Sequence, residues 1–118
     1  MKLGFIGMGN MAGALLRGFL ACGKIETENV FVFDKNAEKL EKERKELEFN
    51  ALSSEKEVAE HSDIVIMACK PYHVEGAILA MGNALCDKAL LSIALGWDHT
   101  AYRAVLPENV REIGRAHV

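Results

Sequence analysis

Six consecutive residues, Gly7-Met8-Gly9-Asn10-Met11-Ala12, form a pattern suited to a phosphorylated ligand. They match G-x-G-x-x-G/A, in which each small residue has a task. Gly7 allows a tight turn, Gly9 lets the backbone approach a pyrophosphate, and Ala12 keeps the following helix close to a sheet. The amide groups around Asn10 and Met11 then open a helix whose dipole favours negative charge. Asp34 is the second informative position. An acidic side chain at the end of a second strand binds the ribose hydroxyls of NAD and repels a 2′-phosphate. Lys35 is adjacent and Asn36 can hydrogen-bond a phosphate, so NAD and NADP both stay open. Asp34 can also be simply a turn-forming residue.

Such a loop needs a strand before it and a helix after it, and the flanking residues supply both. Lys2 to Gly7 is an apolar run ending at glycine. Asn10 to Cys22 has helical periodicity, with Met11, Leu15, Leu16, Phe19 and Leu20 on a broad face and Gly23 as a stop. Asn29 to Asp34 predicts a second strand, and the charged run Ala37 to Leu47 a solvated surface helix. A short third strand is expected near Phe49, followed by a helix capped by Ser53 or Ser54. Asp63 to Cys69 is an unbroken apolar run of the kind buried on both faces of a parallel sheet. Pro71 opens a helix over Tyr72 to Leu85, LLSIAL is another buried strand, and His99 to Val105 a last short helix. Alternating strands and helices predict an α/β fold of the doubly wound, Rossmann type, with a parallel sheet.

The 118 residues suffice for one domain with its own core. Half are apolar, about a quarter are charged, and the net charge of −3 gives no reason to expect nucleic acid or an anionic membrane as partner. Cys22, Cys69 and Cys86 share no metal-like spacing and read as buried free thiols of a reducing compartment, with no metal site. With no signal peptide and no apolar run near the roughly 20 residues of a membrane span, the chain reads as cytoplasmic.

Four segments resemble the pyrroline-5-carboxylate reductase family: GFIGMGNMA at Gly4–Ala12, MACKP at Met67–Pro71, SIALG at Ser92–Gly96 and LPENVR at Leu106–Arg111. The Gly-Asn-Met of the loop is more specific than the general dinucleotide pattern, while Leu95 departs from the family's second alanine. The resemblance implies an enzyme that uses NADPH or NADH to reduce the C=N bond of 1-pyrroline-5-carboxylate, the last step of proline biosynthesis. By position it implies that Gly7, Gly9, Asn10 and Met11 hold the pyrophosphate. Asp34, Lys35 and Asn36 would face the adenosine ribose; Ala68, Lys70 and Pro71 would line the nicotinamide side, with Ala94 and Gly96 beside them. No catalytic side chain is assigned. Lys70 can serve a ligand or a helix terminus. Tyr72 and His73 fall in the turn after Pro71, where a lone histidine is usually solvated, and Cys69 reads as packing. His61 and His99 have no partner near in sequence, and Trp97 and Tyr102 are expected to cover the edge of the core.

In that family the chain continues past LPENVR into a strand, a Met-Pro-Asn-Thr-Pro loop and a helical domain that dimerises and completes the imino-acid site. Here Glu112-Ile113-Gly114-Arg115-Ala116-His117-Val118 follows. This heptad resembles the in-frame translation of a sequencing-library adapter (GAG ATC GGA AGA GCA CAC GTC). The expectation is a dinucleotide-binding domain over residues 1–111, a non-native tail over 112–118, and no substrate or dimerisation domain. Such a chain would bind NAD(P)H weakly and be inactive alone, its parent a homo-oligomer acting on a small molecule. The alternatives are a non-catalytic NAD(P)-binding module or another dehydrogenase, such as a prephenate or hydroxyacid dehydrogenase.

Overall fold

A computed structural model describes residues 1–94, 99–107 and 109–115, with the side chains of 99 and 112–115 excepted. Among the described residues six strands alternate with five α-helices. They are β1 (Leu3–Ile6), α1 (Asn10–Ala21), β2 (Val30–Phe33), α2 (Ala37–Leu47), β3 (Asn50–Ala51), α3 (Glu55–His61), β4 (Ile64–Met67), α4 (Pro71–Met81), β5 (Ala89–Ser92), α5 (His99–Val105) and β6 (Arg111–Arg115). All neighbouring strands are parallel, in the order β3-β2-β1-β4-β5-β6. This is the doubly wound Rossmann arrangement, with its reversal of strand order between β1 and β4.

Side-chain alternation in the central strands feeds two cores. Leu3 and Phe5 of β1 and Ile66 of β4 pack with Leu16 of α1 and Leu40 of α2. Ile6, Val65 and Met67 point to the other face and pack with Val58 of α3 and Val74, Ile78 and Met81 of α4. Helices on both faces explain why β4 carries apolar residues without a polar alternation. Gly4 of β1 has a packing reason that its sequence context does not reveal. A Cβ there would lie 2.2 Å from Ser62 Oγ and 2.6 Å from Val58 Cγ1, so glycine lets α3 approach the sheet.

The local signals explain most boundaries. Gly23, at φ +75°, follows α1, and Asn36 caps α2 by accepting the Lys39 N–H at 3.1 Å. Ser54 rather than Ser53 caps α3, receiving the Glu57 N–H at 3.2 Å, while the Glu57 carboxylate reaches back to both serines. The helix expected to reach Leu85 ends at Met81, and a 3₁₀ turn covers Gly82–Leu85. The strand expected over LLSIAL ends at Ser92, leaving Ile93 and Ala94 beyond it. In β6, residues Glu112 and Gly114 pair with Leu90 and Leu91 around a bulge.

Four readings need correction. Cys22 is exposed, because it follows the last turn of α1 where that helix leaves the core, and Cys69 and Cys86 are only half-buried. Met11, expected on the buried face of α1, is 45% exposed; Ala12, Gly13 and Leu16 form the buried strip instead. Tyr102 lies fully inside the core rather than over its edge, because its hydroxyl finds Ser92 Oγ 2.5 Å away. His61 has partners after all: Nδ1 lies 2.9 Å from the Glu57 carbonyl one helical turn back, and its ring packs on Phe31.

Candidate dinucleotide site

The carboxyl ends of β1, β2, β4 and β5 surround a crevice of about 760 Å³ at the point where strand order reverses. Open α/β sheets bind their ligands at this place. Gly7, Gly9, Asn10, Met11, Asp34, Lys35, Asn36, Ala68, Lys70, Pro71 and Ala94 all line the crevice. Gly96 and Trp97 lie outside the described residues.

The two loop glycines are needed for different reasons. Gly7 has φ +95°, and a Cβ on it would stand 2.8 Å from the backbone of Ala68 and Cys69. The protein itself therefore demands glycine there, to pass the end of β1 closely against that of β4. Gly9 has an ordinary φ of −82°, and its Cβ would meet only Lys39 Nζ, at 3.7 Å. Neither strain nor internal crowding requires glycine at position 9, and its missing side chain leaves room at the start of α1.

The helix termini divide in the same way. Among the described residues, α2 and α3 have side-chain caps, whereas α1 and α4 have none. Gly9 precedes α1 and Lys70 precedes α4, with Pro71 at its first position, and both termini open on the crevice. The first α1 bond is Gly13 N–H to the Gly9 carbonyl at 2.9 Å, which leaves the amides of Asn10, Met11 and Ala12 ahead of the intrahelical ladder. Uncapped termini facing one cavity are suited to anionic oxygens.

Asp34 has a structural task in addition to its place on the rim. Its Oδ2 accepts the Met8 N–H at 2.7 Å and its Oδ1 accepts the Asn36 N–H at 2.8 Å. The carboxylate thus ties the glycine loop to the turn between β2 and α2. The turn role is thus filled by a side chain that also lines the crevice.

Several lining residues carry no sequence motif. Lys39 stands beside Gly9 from the first turn of α2, three residues after the Asn36 cap. That spacing puts it on the same helix face as the cap and is the signal that could have found it. His73 is half-buried at the crevice rather than solvated, its ring edge-on to exposed Tyr72. Cys69 also faces the crevice, and burial pushes its thiol pKa up to about 11. A raised pKa disfavours the thiolate, the form in which a cysteine acts as a nucleophile. Among the described residues, no group of three His, Cys, Asp or Glu is placed to hold a metal ion.

A family model described as NADP oxidoreductase, coenzyme F420-dependent, matches residues 2–96. The chain belongs to this family. Within reach of it in sequence stands the pyrroline-5-carboxylate reductase of Escherichia coli, 33% identical over 96 residues, or 80% of this chain and 36% of that protein. The crystal structure of Plasmodium falciparum pyrroline carboxylate reductase with NADP bound superposes with a TM-score of 0.79 at 31% identity, over 93% of this chain and 40% of that one. A pyrroline-5-carboxylate reductase of Coxiella burnetii superposes with a TM-score of 0.87 at 22% identity, over 96% and 42%, a likeness of fold. The chain therefore spans about 40% of the length of the relatives it matches.

Proposed function

We propose that this chain is the dinucleotide-binding part of an NADPH-dependent reductase acting on 1-pyrroline-5-carboxylate. The observation that carries the first half is Gly9: a glycine with no internal reason to be one, at an uncapped helix terminus that opens on a crevice. Amides at the start of α1 receive the pyrophosphate, and the α1 dipole stabilises its charge. The rim at the end of β2 receives the adenosine ribose. Ala68, Lys70, Pro71 and Ala94 form the wall on the β4 and β5 side, where the nicotinamide half lies. The bound dinucleotide supplies the hydride. Among the described residues no side chain of this chain is assigned to proton transfer.

NADP is favoured over NAD by the surroundings of Asp34. Both carboxylate oxygens already accept backbone N–H groups, while Lys35 and Lys39 carry positive charge at the same rim. The second half of the proposal, the imine substrate, is supported by the relatives' names and by the Gly-Asn-Met and Lys-Pro motifs. The substrate pocket and any homo-oligomer would draw on the part of the relatives that this chain does not match. No described helix is long and apolar enough to cross a membrane.

A chimera tests the reductase reading. Residues 1–111 replace the matching region of the E. coli reductase, and NADPH oxidation is followed with and without 1-pyrroline-5-carboxylate. Substrate-dependent oxidation that Gly9→Ala abolishes is the expected result. A chimera that folds and binds NADPH but ignores this substrate would instead support a dehydrogenase of different specificity.

A further inference from the structure

A buried hydrogen-bonded chain at the end of β5 is not explained by the phosphate loop. Ser92 closes β5 with no exposed surface, and its Oγ lies 2.5 Å from the hydroxyl of Tyr102, itself fully buried on α5. The same Oγ accepts the Ala94 N–H at 3.2 Å. Ala94 and Ile93 line the crevice, and the Ile93 N–H donates to the Met67 carbonyl at 2.9 Å. The β5 wall is thus held from two sides, by β4 through Ile93 and by α5 through Tyr102 and Ser92.

Tyr102 packs in one hydrophobic cluster with Val74, Ile78 and Leu90. Phenylalanine would fill nearly the same volume without having to satisfy a buried hydroxyl. Packing alone therefore gives no reason for the phenol oxygen. A serine hydroxyl can turn toward several nearby backbone groups. A second hydroxyl 2.5 Å away selects one orientation, the one aimed at the Ala94 amide. The two halves of a doubly wound sheet each take one half of a dinucleotide. With the adenosine ribose at β2, the β5 wall belongs to the other half.

We propose that Tyr102 is a positioning residue: through Ser92 it fixes Ala94 where the nicotinamide half of the dinucleotide is received. This rests on the dinucleotide reading above. Tyr102 is fully buried and does not line the crevice itself, so its influence passes through Ser92 to one end of it.

The test titrates the 118-residue chain and its Tyr102→Phe variant with two probes, NADPH and adenosine 2′,5′-bisphosphate, which lacks the nicotinamide half. Loss of one such hydrogen bond weakens NADPH binding by about five- to tenfold, with the bisphosphate changed by less than about twofold. The Ala94 amide resonance shifts in the variant without ligand. If the unsubstituted chain binds neither probe, the dinucleotide reading fails and takes this inference with it. If it binds both and Tyr102→Phe binds NADPH equally well, only the positioning role is overturned. Equal weakening of both probes also overturns it, since that marks general loosening of the fold. Should Tyr102→Phe fail to fold, Ser92→Ala is read against the same split, and equal losses there overturn the proposal too.

Discussion

Asp34 Oδ2 accepts the backbone N–H of Met8 at 2.7 Å, joining the end of β2 to the glycine loop after β1. The other carboxylate oxygen holds Asn36, the residue that caps α2. One half-buried side chain therefore sets the loop, the rim and the start of a helix together. Where such an acid serves only to repel a 2′-phosphate, its removal favours NADPH. Here its removal also frees two backbone donors.

Asp34→Ala is accordingly expected to weaken NADPH and NADH alike, by about tenfold, and to lower stability by about 1–2 kcal/mol. Fluorescence titration with both nucleotides and a denaturant melt check this. A variant that binds NADPH more tightly, with unchanged stability, would assign Asp34 to specificity alone.

The two loop glycines separate stability from binding. Gly7→Ala meets backbone at 2.8 Å in a left-handed conformation and should cost about 2 kcal/mol or more. Gly9→Ala meets only Lys39 Nζ and should leave stability within about 0.5 kcal/mol while reducing NADPH affinity at least about tenfold. Paired melts and titrations decide it; a strongly destabilised Gly9→Ala would show that position 9 serves the fold.

Lys39 gives a charge test of nucleotide choice. Lys39→Gln should weaken NADPH by about tenfold and NADH by less than about threefold, because only the former carries the extra phosphate. Equal losses for the two nucleotides would move Lys39 to the pyrophosphate instead.

Cys69 makes a prediction about pH. Its thiol, pushed from the ordinary 9.0 to about 11 mainly by burial, keeps its proton in the folded chain over a range where the unfolded chain loses it. The folded state then binds more protons, so this contribution to stability is complete below pH 9.0 and falls away as pH rises through about 11. Cys69→Ala should flatten that alkaline decline. Iodoacetamide should label exposed Cys22 well before Cys69 at neutral pH. Equal labelling rates would contradict the protected thiol.

The fold was readable because its signals are local and agree with one another. The glycine loop, the apolar run at β4, Gly23 after α1 and the Ser54–Glu57 cap each act within a few residues of themselves. Eleven of the twelve residues expected at the site line one crevice because parallel strands carry their carboxyl ends to one edge of the sheet. What stayed hidden depends on distant neighbours. Gly4 is explained only by Val58 of α3 and Ser62 just after it, and the bond of Asp34 to Met8 only by a loop on another strand. Tyr102 looked like a cover for the core because nothing adjacent in sequence announces its bond to Ser92. Lys39 was concealed in a run of charges whose other members face solvent or form ion pairs, Arg44 with Glu41 inside the run and Glu43 and Glu46 with Arg17 of α1.

The most direct measurement is a ¹⁵N-resolved NMR titration of the 118-residue chain with NADPH. The account predicts that the amides of Gly9, Asn10, Met11 and Asn36 move first and most, with Ala94 moving on the opposite wall. An unchanged spectrum at millimolar NADPH, or shifts gathered around Asp63 and Cys86 at the other end of the sheet, would contradict it.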